Sequence, residues 1–528
     1  MQHTAYGLNA AFTAPHRLAA LAGRDVMQAG GTAIEAMVAA AATIATVYPH
    51  MNGIGGDAFW LIARPGHAPI AISGAGRAAA LATPALYAAQ GHPDAIPSRG
   101  GLAALTVPGA IDSWRLALEE VPAERRLPLA TLLEAAIGFA ENGIAVSTGQ
   151  SRITAAKLAG LEAVPGFAEH YLDGGKVPAP GARLEQKALG RTFRHLRDNG
   201  LRSYYDGAPA RSVASFAETC GSPLRASDFA SYRATREVPL HVSTSHGTLY
   251  NMVAPTQGVA SLMILALFDR LGVAEGDGFD HIHGLVEATK QAFILRNREL
   301  GDPDGMARPA QDLLDASLLD DLAARIDRGT ALPWPHVAKP GDTIWMGACD
   351  ADGTVVSFIQ SVFFEFGSGV TDPGTGIMLQ NRGAGFSLQP GPNQLAPGRR
   401  PFHTLNPALA VLNDGRVMAY GNMGGEGQPQ TQAAVFTRHV CFGEDLQAAI
   451  TAPRWLLGKT WGDSTTSLKL ESRFDPALVE ALRAAGHEIE MIEPSSDLAG
   501  HAGAIVRSAD GGVQAAGDPR ADSAALAW

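Results

Sequence analysis

The sequence predicts a mixed α+β protein, because helical patterns and strand patterns follow one another along the whole chain. A capping box, in which Thr32 is followed three residues later by Glu35, begins a helix that is apolar on most faces. Residues 102–236 are mainly helical in pattern, whereas strands dominate from residue 343 to residue 411. With 46% hydrophobic and 18% charged residues, the composition is that of a soluble globular protein with a large core. Its 528 residues could form two or three domains or one continuous structure.

The N-terminal elements are bounded by clear stop signals. The helix that follows Thr32 ends near Pro49, and a glycine-rich turn at residues 52–57 leads into a strand at residues 58–63. This order of helix, turn and strand excludes a dinucleotide-binding fingerprint, which requires strand, turn and helix. His50 and Asp57 flank the turn, and we expect them to hold it rather than to take part in chemistry.

The remaining elements follow from local composition and periodicity. Leu/Ala/Glu-rich or amphipathic segments predict the later helices, and β-rich segments predict the later strands. The predicted helices span residues 111–120, 129–142, 259–271, 281–298, 431–440 and 476–485. The predicted strands span residues 238–242, 248–253, 343–350 and 354–364. Pro/Gly-rich stretches at residues 333–341 and 389–398 predict exposed loops.

Charge, cysteine content and hydropathy exclude several classes of protein. A net charge of −11 without a Lys/Arg run argues against a nucleic-acid partner. The three cysteines, Cys220, Cys349 and Cys441, fit neither a disulfide framework nor a metal motif, and we expect no metal or organic cofactor. The N-terminus lacks the pattern of a secretory signal, and the longest apolar run, residues 37–48, is too short to span a bilayer. We therefore expect a cytoplasmic protein without a membrane partner.

Thr343 lies where cleavage of the chain could uncover a nucleophile. A Lys-Pro-Gly-Asp segment at residues 339–342 precedes it, a predicted strand follows, and Asp352-Gly353 predicts the turn of a hairpin. Any β-hairpin could show this pattern, so the interpretation depends on the rest of the chain.

Short motifs along the whole chain resemble those of the γ-glutamyltransferase family and occur in its order. They include Gly30-Gly31-Thr32-Ala33, Pro49-His50-Met51-Asn52-Gly53-Ile54-Gly55-Gly56, Pro255-Thr256-Gln257-Gly258, Leu300-Gly301-Asp302-Pro303, Asp342-Thr343, Arg400-Pro401-Phe402 and Met423-Gly424-Gly425. One such motif could agree by chance, but an ordered series could not. The resemblance implies the N-terminal-nucleophile hydrolase fold, a four-layer αββα sandwich with two antiparallel sheets between helices.

The resemblance also implies a precursor that cuts itself between Asp342 and Thr343. A large subunit of residues 1–342 and a small subunit of residues 343–528 would then form one intertwined heterodimer, which could dimerise further. The freed α-amino group of Thr343 would ordinarily titrate at about pH 7.7–8.0. It could therefore accept the proton of the Thr343 hydroxyl while that hydroxyl attacks an amide carbonyl.

Further site residues are implied by their positions in the family's motifs. Gly424 and Gly425 would supply the backbone amides of an oxyanion hole, where the lack of a Cβ allows close approach. Ser361 would contact the nucleophile and assist self-cleavage. Arg77 would clamp the substrate carboxylate, because a guanidinium binds a carboxylate bidentately. His403 and Thr404 would stand where the family has a serine pair that holds the same carboxylate.

Two departures from the family pattern point to a different substrate. Gly385 stands where glutathione-cleaving members have an acidic residue, and Phe363 replaces an asparagine, so two partners of the substrate's α-ammonium group are absent. Charge-assisted bonds of this kind contribute about 1.5–3 kcal/mol each. Arg382 lies nearby instead. This pocket favours a small anionic amide, and residues 381–387 and 400–407 are most similar to oxamate amidohydrolase-like members of the family.

Three functions are therefore compatible with the sequence. The first is an amidohydrolase acting on a small carboxylated amide such as oxamate. The second is a γ-glutamyltransferase or glutathione hydrolase that recognises its substrate differently. The third is a non-catalytic family member, against which Thr343, Gly424-Gly425 and Arg77 together argue.

Overall fold

Two seven-stranded antiparallel sheets form the centre of the protein. The structure, a computed structural model, describes residues 3–335, 342–458 and 466–528, with only the backbone at residue 342. The end of the predicted loop at 333–341 lies outside these ranges.

The described residues form these strands, in chain order. They are β1 (Ala5–Gly7), β2 (Ala11–Ala14), β3 (Asp57–Ala63), β4 (Ile70–Gly74), β5 (Ile144–Ala145), β6 (Arg183–Leu184), β7 (Thr235–Glu237), β8 (Leu240–Thr244), β9 (Gly247–Asn251), β10 (Asp342–Cys349), β11 (Val355–Phe363), β12 (Ala408–Leu412), β13 (Val417–Asn422), β14 (Trp455–Leu457), β15 (Leu468–Glu471), β16 (Ile489–Ile492), β17 (Ala502–Arg507), β18 (Val513–Gly517) and β19 (Ala524–Ala527).

The described residues also form these helices, in chain order. They are α1 (Arg17–Gln28), α2 (Ala33–Val47), α3 (Pro84–Ala89), α4 (Ala110–Leu118), α5 (Leu129–Asn142), α6 (Thr148–Lys157), α7 (Phe167–Tyr171), α8 (Lys187–Asn199), α9 (Ser203–Asp206), α10 (Ala208–Thr219), α11 (Ala226–Ser231), α12 (Gly258–Leu271), α13 (Phe279–Glu299), α14 (Ala316–Ala323), α15 (Gln428–Phe436), α16 (Leu446–Thr451) and α17 (Pro476–Ala484).

The two large sheets pack face to face between two layers of helices. The first sheet has the order β1-β18-β17-β13-β12-β9-β8, and the second has the order β19-β2-β10-β11-β3-β4-β7. Apolar side chains such as Phe59, Trp345 and Ile505 fill the space between them. Helices α2 and α4 cover the outer face of the second sheet, and α12 and α15 cover that of the first. The predicted αββα architecture is confirmed.

The order of the strands explains how a cleaved chain would stay together. In the second sheet the β10–β11 hairpin lies between β2 and β3, and in the first sheet β12 pairs with β9. Cleavage before Thr343 would therefore leave strands of both fragments in each sheet. The fragments would share one hydrogen-bonded core instead of forming separate domains.

Several predicted elements match the structure closely. The capping box is present, since the Thr32 hydroxyl accepts from the Glu35 amide and the Glu35 carboxylate accepts from the Thr32 amide. Helix α5 covers the predicted residues 129–142, and both strands of the β10–β11 hairpin lie within one residue of their predicted ends.

The prediction that strands dominate as far as residue 411 is wrong for residues 364–407. This segment consists of turns, isolated bridges and a short 3₁₀ helix at Arg382–Gly385. Phe366 and several glycines in it have positive φ angles, which break the extended conformation that a strand requires.

Close packing of the two sheets places Trp345 between them. Its indole Nε1 donates to Ser357 Oγ at 3.0 Å, and a Cβ at Gly421 would collide with the indole ring. None of the helices in the described part of the chain combines the length and apolar character needed to cross a bilayer.

Candidate active site

One end of the central strands of the second sheet brings two predicted site residues, Thr343 and Ser361, next to Asp57. Thr343 lies at the start of β10, Ser361 near the end of β11 and Asp57 at the start of β3. Because these strands are antiparallel neighbours, the start of β10, the end of β11 and the start of β3 lie at the same end of the sheet. Ser361 pairs directly with Asp57 across the β11–β3 ladder.

A β-bulge surrounds Thr343. Asp342 pairs with Phe363 and Ile344 pairs with Gln360, so Thr343 faces two residues of β11, one of which is Ser361. Bulges of this kind re-aim side chains next to active sites. Thr343 is fully buried, and the Ser361 hydroxyl accepts from the Phe363 amide at 2.7 Å. The structure thus brings Thr343 and Ser361 together, while their roles in catalysis and self-cleavage stay predictions.

The first sheet contributes Gly424 and Gly425 at the end of β13. Their φ angles are +124° and +52°, which favour glycine. Gly425 begins a 3₁₀ turn that continues directly into α15. The first amides of a helical segment have no acceptor within it and favour negative charge. This geometry suits an oxyanion hole.

Two buried glutamines connect these segments: Gln257 lies in one of the family motifs but had no predicted role, and Gln428 was not singled out. Gln428 Nε2 lies 3.5 Å from Thr343 Oγ1, and its Oε1 accepts from the Asn406 amide at 3.2 Å. Gln257 Nε2 donates to the carbonyl oxygens of Gly425 and Thr404, at 2.8 and 2.7 Å. No local motif marks a glutamine for such a role, because the contacts are made only in the folded chain.

Arg382 is buried beside the nucleophile strand. Its Cζ lies 3.7 Å from the centre of the Phe363 ring, and Phe363 is the residue paired with Asp342. Its Nη2 donates to Thr404 Oγ1 at 3.2 Å, while Nε and Nη1 have no hydrogen-bond partner among the described residues. Burial lowers the pKa of the guanidinium, and the Asp57 carboxylate raises it.

Phe363 holds an unusual backbone conformation at this point. Its φ angle of +84° lies in the left-handed region, which costs about 1–3 kcal/mol for a residue other than glycine. The Ser361 hydroxyl fixes its amide, and its ring stacks on Phe364 as well as on Arg382. These contacts hold the Phe363 ring against the Arg382 guanidinium.

Asp57, at the start of β3, and His403, in the segment that precedes β12, form a fully buried pair. Asp57 Oδ2 and His403 Nε2 are 2.9 Å apart, and both side chains have no exposed surface. Asp57 Oδ1 accepts from the amides of Gly76 and Gly109 and from Gln380 Nε2. The Asp57 carboxylate therefore contacts three other segments instead of the amides of the glycine turn.

Burial dominates the electrostatics of this pair. It raises the pKa of Asp57 to about 7, while the bonds from Gly76, Gln380 and Gly109 and the charge of Arg382 lower that pKa. Burial, and then the charge of Arg382, holds the pKa of His403 well below its ordinary value. His403 is therefore a neutral imidazole.

Arg77 lies at the margin of the site. It follows Gly76, whose amide binds Asp57, but the Arg77 side chain is half-buried and its Nη1 donates to the Gly398 carbonyl at 2.9 Å. Its guanidinium thus already has a backbone partner, unlike the unpaired atoms of Arg382.

A cavity of about 370 Å³ is lined by residues that include sequence neighbours of the site. Its lining includes Phe402 and Glu426, the chain neighbours of His403 and Gly425.

A second group of buried side chains, His283, Glu287 and His487, could in principle hold a metal ion. These three are hydrogen-bonded instead: His283 Nδ1 lies 2.9 Å from His487 Nε2, and Lys290 Nζ donates to Glu287 Oε1 at 2.6 Å. The ammonium group so close to Glu287 disfavours a cation.

Comparison with known proteins gives the family. Residues 19–528 match the gamma-glutamyltranspeptidase family. The chain belongs to this family. The resemblance found in the sequence motifs is therefore confirmed.

This chain is similar to several relatives over nearly the whole length of both proteins. It is 51% identical to the oxamate amidohydrolase proenzyme of Klebsiella pneumoniae, over 98% of each chain. It is 38% identical to the glutathione hydrolase-like YwrD proenzyme of Bacillus subtilis, over 100% of each chain. The crystal structure of a cephalosporin acylase from Bacillus halodurans superimposes with a TM-score of 0.92 at 30% identity, covering 100% of this chain and 97% of the other.

These similarities establish the general activity. The chain is an enzyme that acts on amides, an amidohydrolase of the N-terminal-nucleophile type. The proenzyme names of its relatives fit a processed chain of two subunits.

Proposed function

We propose that this protein is an autoprocessing N-terminal-threonine amidohydrolase that hydrolyses a small carboxylated amide such as oxamate through an acyl-enzyme. The observation that most directly supports this proposal is the buried Arg382 guanidinium. It is stacked on Phe363 and has two nitrogens without partners among the described residues. Such a group is costly to bury unless an anion binds it. A substrate carboxylate would supply that anion.

The position of Arg382 supports a short substrate. Phe363 lies opposite Asp342, the residue before Thr343, so an anion on Arg382 would lie close to the nucleophile. Oxamate carries its carboxylate directly on the amide carbonyl, which suits a short separation. An α-ammonium group would meet the Arg382 cation here, with Gly385 and Phe363 offering it no bond.

The proposed reaction begins with processing between Asp342 and Thr343, which yields subunits of residues 1–342 and 343–528. The Thr343 hydroxyl then attacks the amide carbonyl and gives its proton to the Thr343 amine. Amides of Gly424 and Gly425 stabilise the oxyanion. The protonated amine returns the proton as ammonia leaves, and water then hydrolyses the ester on Thr343.

The relatives support this proposal without deciding it. One is named an oxamate amidohydrolase proenzyme and another a glutathione hydrolase-like proenzyme. Ammonia release from oxamate, with rapid acid quenching and mass spectrometry of the small subunit, tests the proposal. We expect the small subunit to gain the mass of one acyl group. An active enzyme whose small subunit never gains this mass on any amide would contradict the acyl-enzyme route.

Substitution of Gly385 tests how the pocket discriminates by charge. Gly385→Asp should weaken kcat/KM on oxamate by about tenfold or more, because a new carboxylate repels the anion and partly neutralises Arg382. A Cβ at this position would meet the Phe402 carbonyl oxygen at 3.1 Å, so Gly385→Ala is the matched control for crowding. Equal losses in the aspartate and alanine variants would show that space, and not charge, matters here.

Arg77→Lys tests the second arginine. The change keeps the charge but removes the fork, so we expect kcat/KM to fall by about 10- to 100-fold with self-cleavage intact. Arg399→Lys is the neighbouring control, because the Arg399 carbonyl oxygen accepts from the Ala78 amide next to Arg77. Unchanged kinetics in Arg77→Lys would assign Arg77 a structural role through its bond to Gly398.

A further inference from the structure

The Asp57–His403 pair has a hydrogen-bond arrangement that depends on its proton count. Asp57 Oδ1 accepts three bonds in every state, whereas His403 Nε2 is the one partner of Oδ2 among the described residues. His403 Nδ1 is buried, and the described part of the chain offers it no partner. The pair can therefore change its protonation without breaking any of its other bonds.

The two protonation states of the pair give His403 Nδ1 opposite hydrogen-bonding roles. When Asp57 is ionised, His403 Nε2–H donates to Oδ2, and Nδ1 of the neutral ring carries a lone pair. When Asp57 is protonated, its Oδ2–H donates to Nε2, which moves the ring proton to Nδ1. One added proton thus converts Nδ1 from an acceptor into a donor and removes one negative charge.

The charges around the pair make this proton count matter. Arg382 is the cation acting on both Asp57 and His403, so its positive charge balances the Asp57 carboxylate. Burial raises the pKa of Tyr204 and Tyr232, the phenols near Asp57, so both stay neutral. An anion bound at Arg382 would leave the buried site with an excess negative charge unless a proton enters.

We propose that Asp57 is a positioning residue that takes up one proton when an anionic substrate binds, which switches His403 Nδ1 into a hydrogen-bond donor. The inference rests on the proposed function in taking the ligand to be a small anion held at Arg382. A protonated Asp57 restores charge balance, and the Nδ1–H offers the anion a bond. The raised pKa of Asp57 places this uptake near neutral pH.

Titration calorimetry of the processed enzyme with oxalate tests the proton uptake directly. Oxalate has no amide and cannot be hydrolysed. Measured at pH 8 in two buffers of different ionisation enthalpy, wild-type enzyme should take up about one proton per bound oxalate. Between pH 7 and pH 9 its Kd should rise by about tenfold per pH unit. Binding of oxalate without proton uptake would overturn the inference.

Asp57→Asn provides the variant with the sharpest outcome. The asparagine Oδ1 can accept the same three bonds, and its Nδ2–H₂ can donate to His403 Nε2, which fixes the proton on Nδ1. We expect oxalate binding that takes up no proton and does not weaken from pH 7 to pH 9. Asp350→Asn is the matched control, because Asp350 is also buried and accepts from the amides of Ala33 and Thr354. It should keep the wild-type pH dependence.

The outcomes separate this inference from the proposed function. If oxamate is hydrolysed but oxalate binds without a proton, the function stands and the role of Asp57 falls. If oxalate binds with proton uptake but oxamate is not hydrolysed, the role stands and the substrate falls. A variant Asp57→Asn that keeps the wild-type pH dependence contradicts the inference even when wild-type uptake is observed, because another group then takes the proton.

Discussion

Replacing Thr343 with alanine should leave the protein as one full-length chain without amidohydrolase activity. Self-cleavage requires the Thr343 hydroxyl to attack the preceding carbonyl, in an N→O acyl shift, and alanine has no hydroxyl. Thr343 is buried in a β-bulge against Ser361, so the surrounding strands should still form. Loss of a nucleophile typically lowers turnover by roughly 10⁴-fold or more. Mass spectrometry of the purified variant and ammonia release from oxamate measure both effects.

Thr343→Ser is the matched variant for this experiment. It keeps the hydroxyl and loses one methyl group, so it should still be cut between residues 342 and 343, more slowly than wild-type protein. Both fragments should elute together, because strands from each side of the cut share both sheets. If the alanine variant is split at the same bond, the hydroxyl is not the agent of processing.

Arg382→Met should abolish most activity on oxamate while leaving self-cleavage intact. Truncating one partner of a buried charge pair costs about 2–5 kcal/mol, or roughly 30- to 4,000-fold in kcat/KM. The guanidinium also balances the buried Asp57 carboxylate, so its removal should lower the Tm where Asp57 is ionised. The expected result is a large loss of kcat/KM with self-cleavage intact.

Two further arginine variants separate charge from geometry. Arg382→Lys keeps a charge but loses the planar group that stacks on Phe363, so it should recover only part of the activity. Arg416→Met removes an arginine paired with the exposed Asp414, and it should leave the kinetics unchanged. A strongly lower Tm for Arg382→Met with wild-type kcat/KM would make Arg382 a structural residue.

Local signals were sufficient to predict the elements with strong caps or long periodic patterns. Helix α2 has a capping box and α5 has 14 residues of helical pattern, and both lie where the sequence places them. The terminal strands β1, β2 and β19 have only three or four residues each. Their pairing partners are distant in sequence, so no local pattern marks them.

The candidate site shows the same limit. Motifs identified Thr343, Gly424 and Arg382 as separate positions along the chain. The contact between Asp57 and His403 joins residues separated by 346 positions, so no local pattern predicts it. Because Asp57 flanks a glycine turn, the sequence predicted that it holds that turn. Its side chain instead binds partners outside the turn.

The choice of substrate is the central claim, and one comparison tests it most directly. Steady-state ammonia release from oxamate should be measured beside hydrolysis of γ-glutamyl-p-nitroanilide, with the same processed enzyme at equal concentration. We predict a higher kcat/KM for oxamate, because Arg382 offers a carboxylate two unpaired nitrogens and Gly385 and Phe363 offer an α-ammonium group no partner. A higher kcat/KM for the γ-glutamyl compound would contradict this account and would favour a γ-glutamyl hydrolase or transferase.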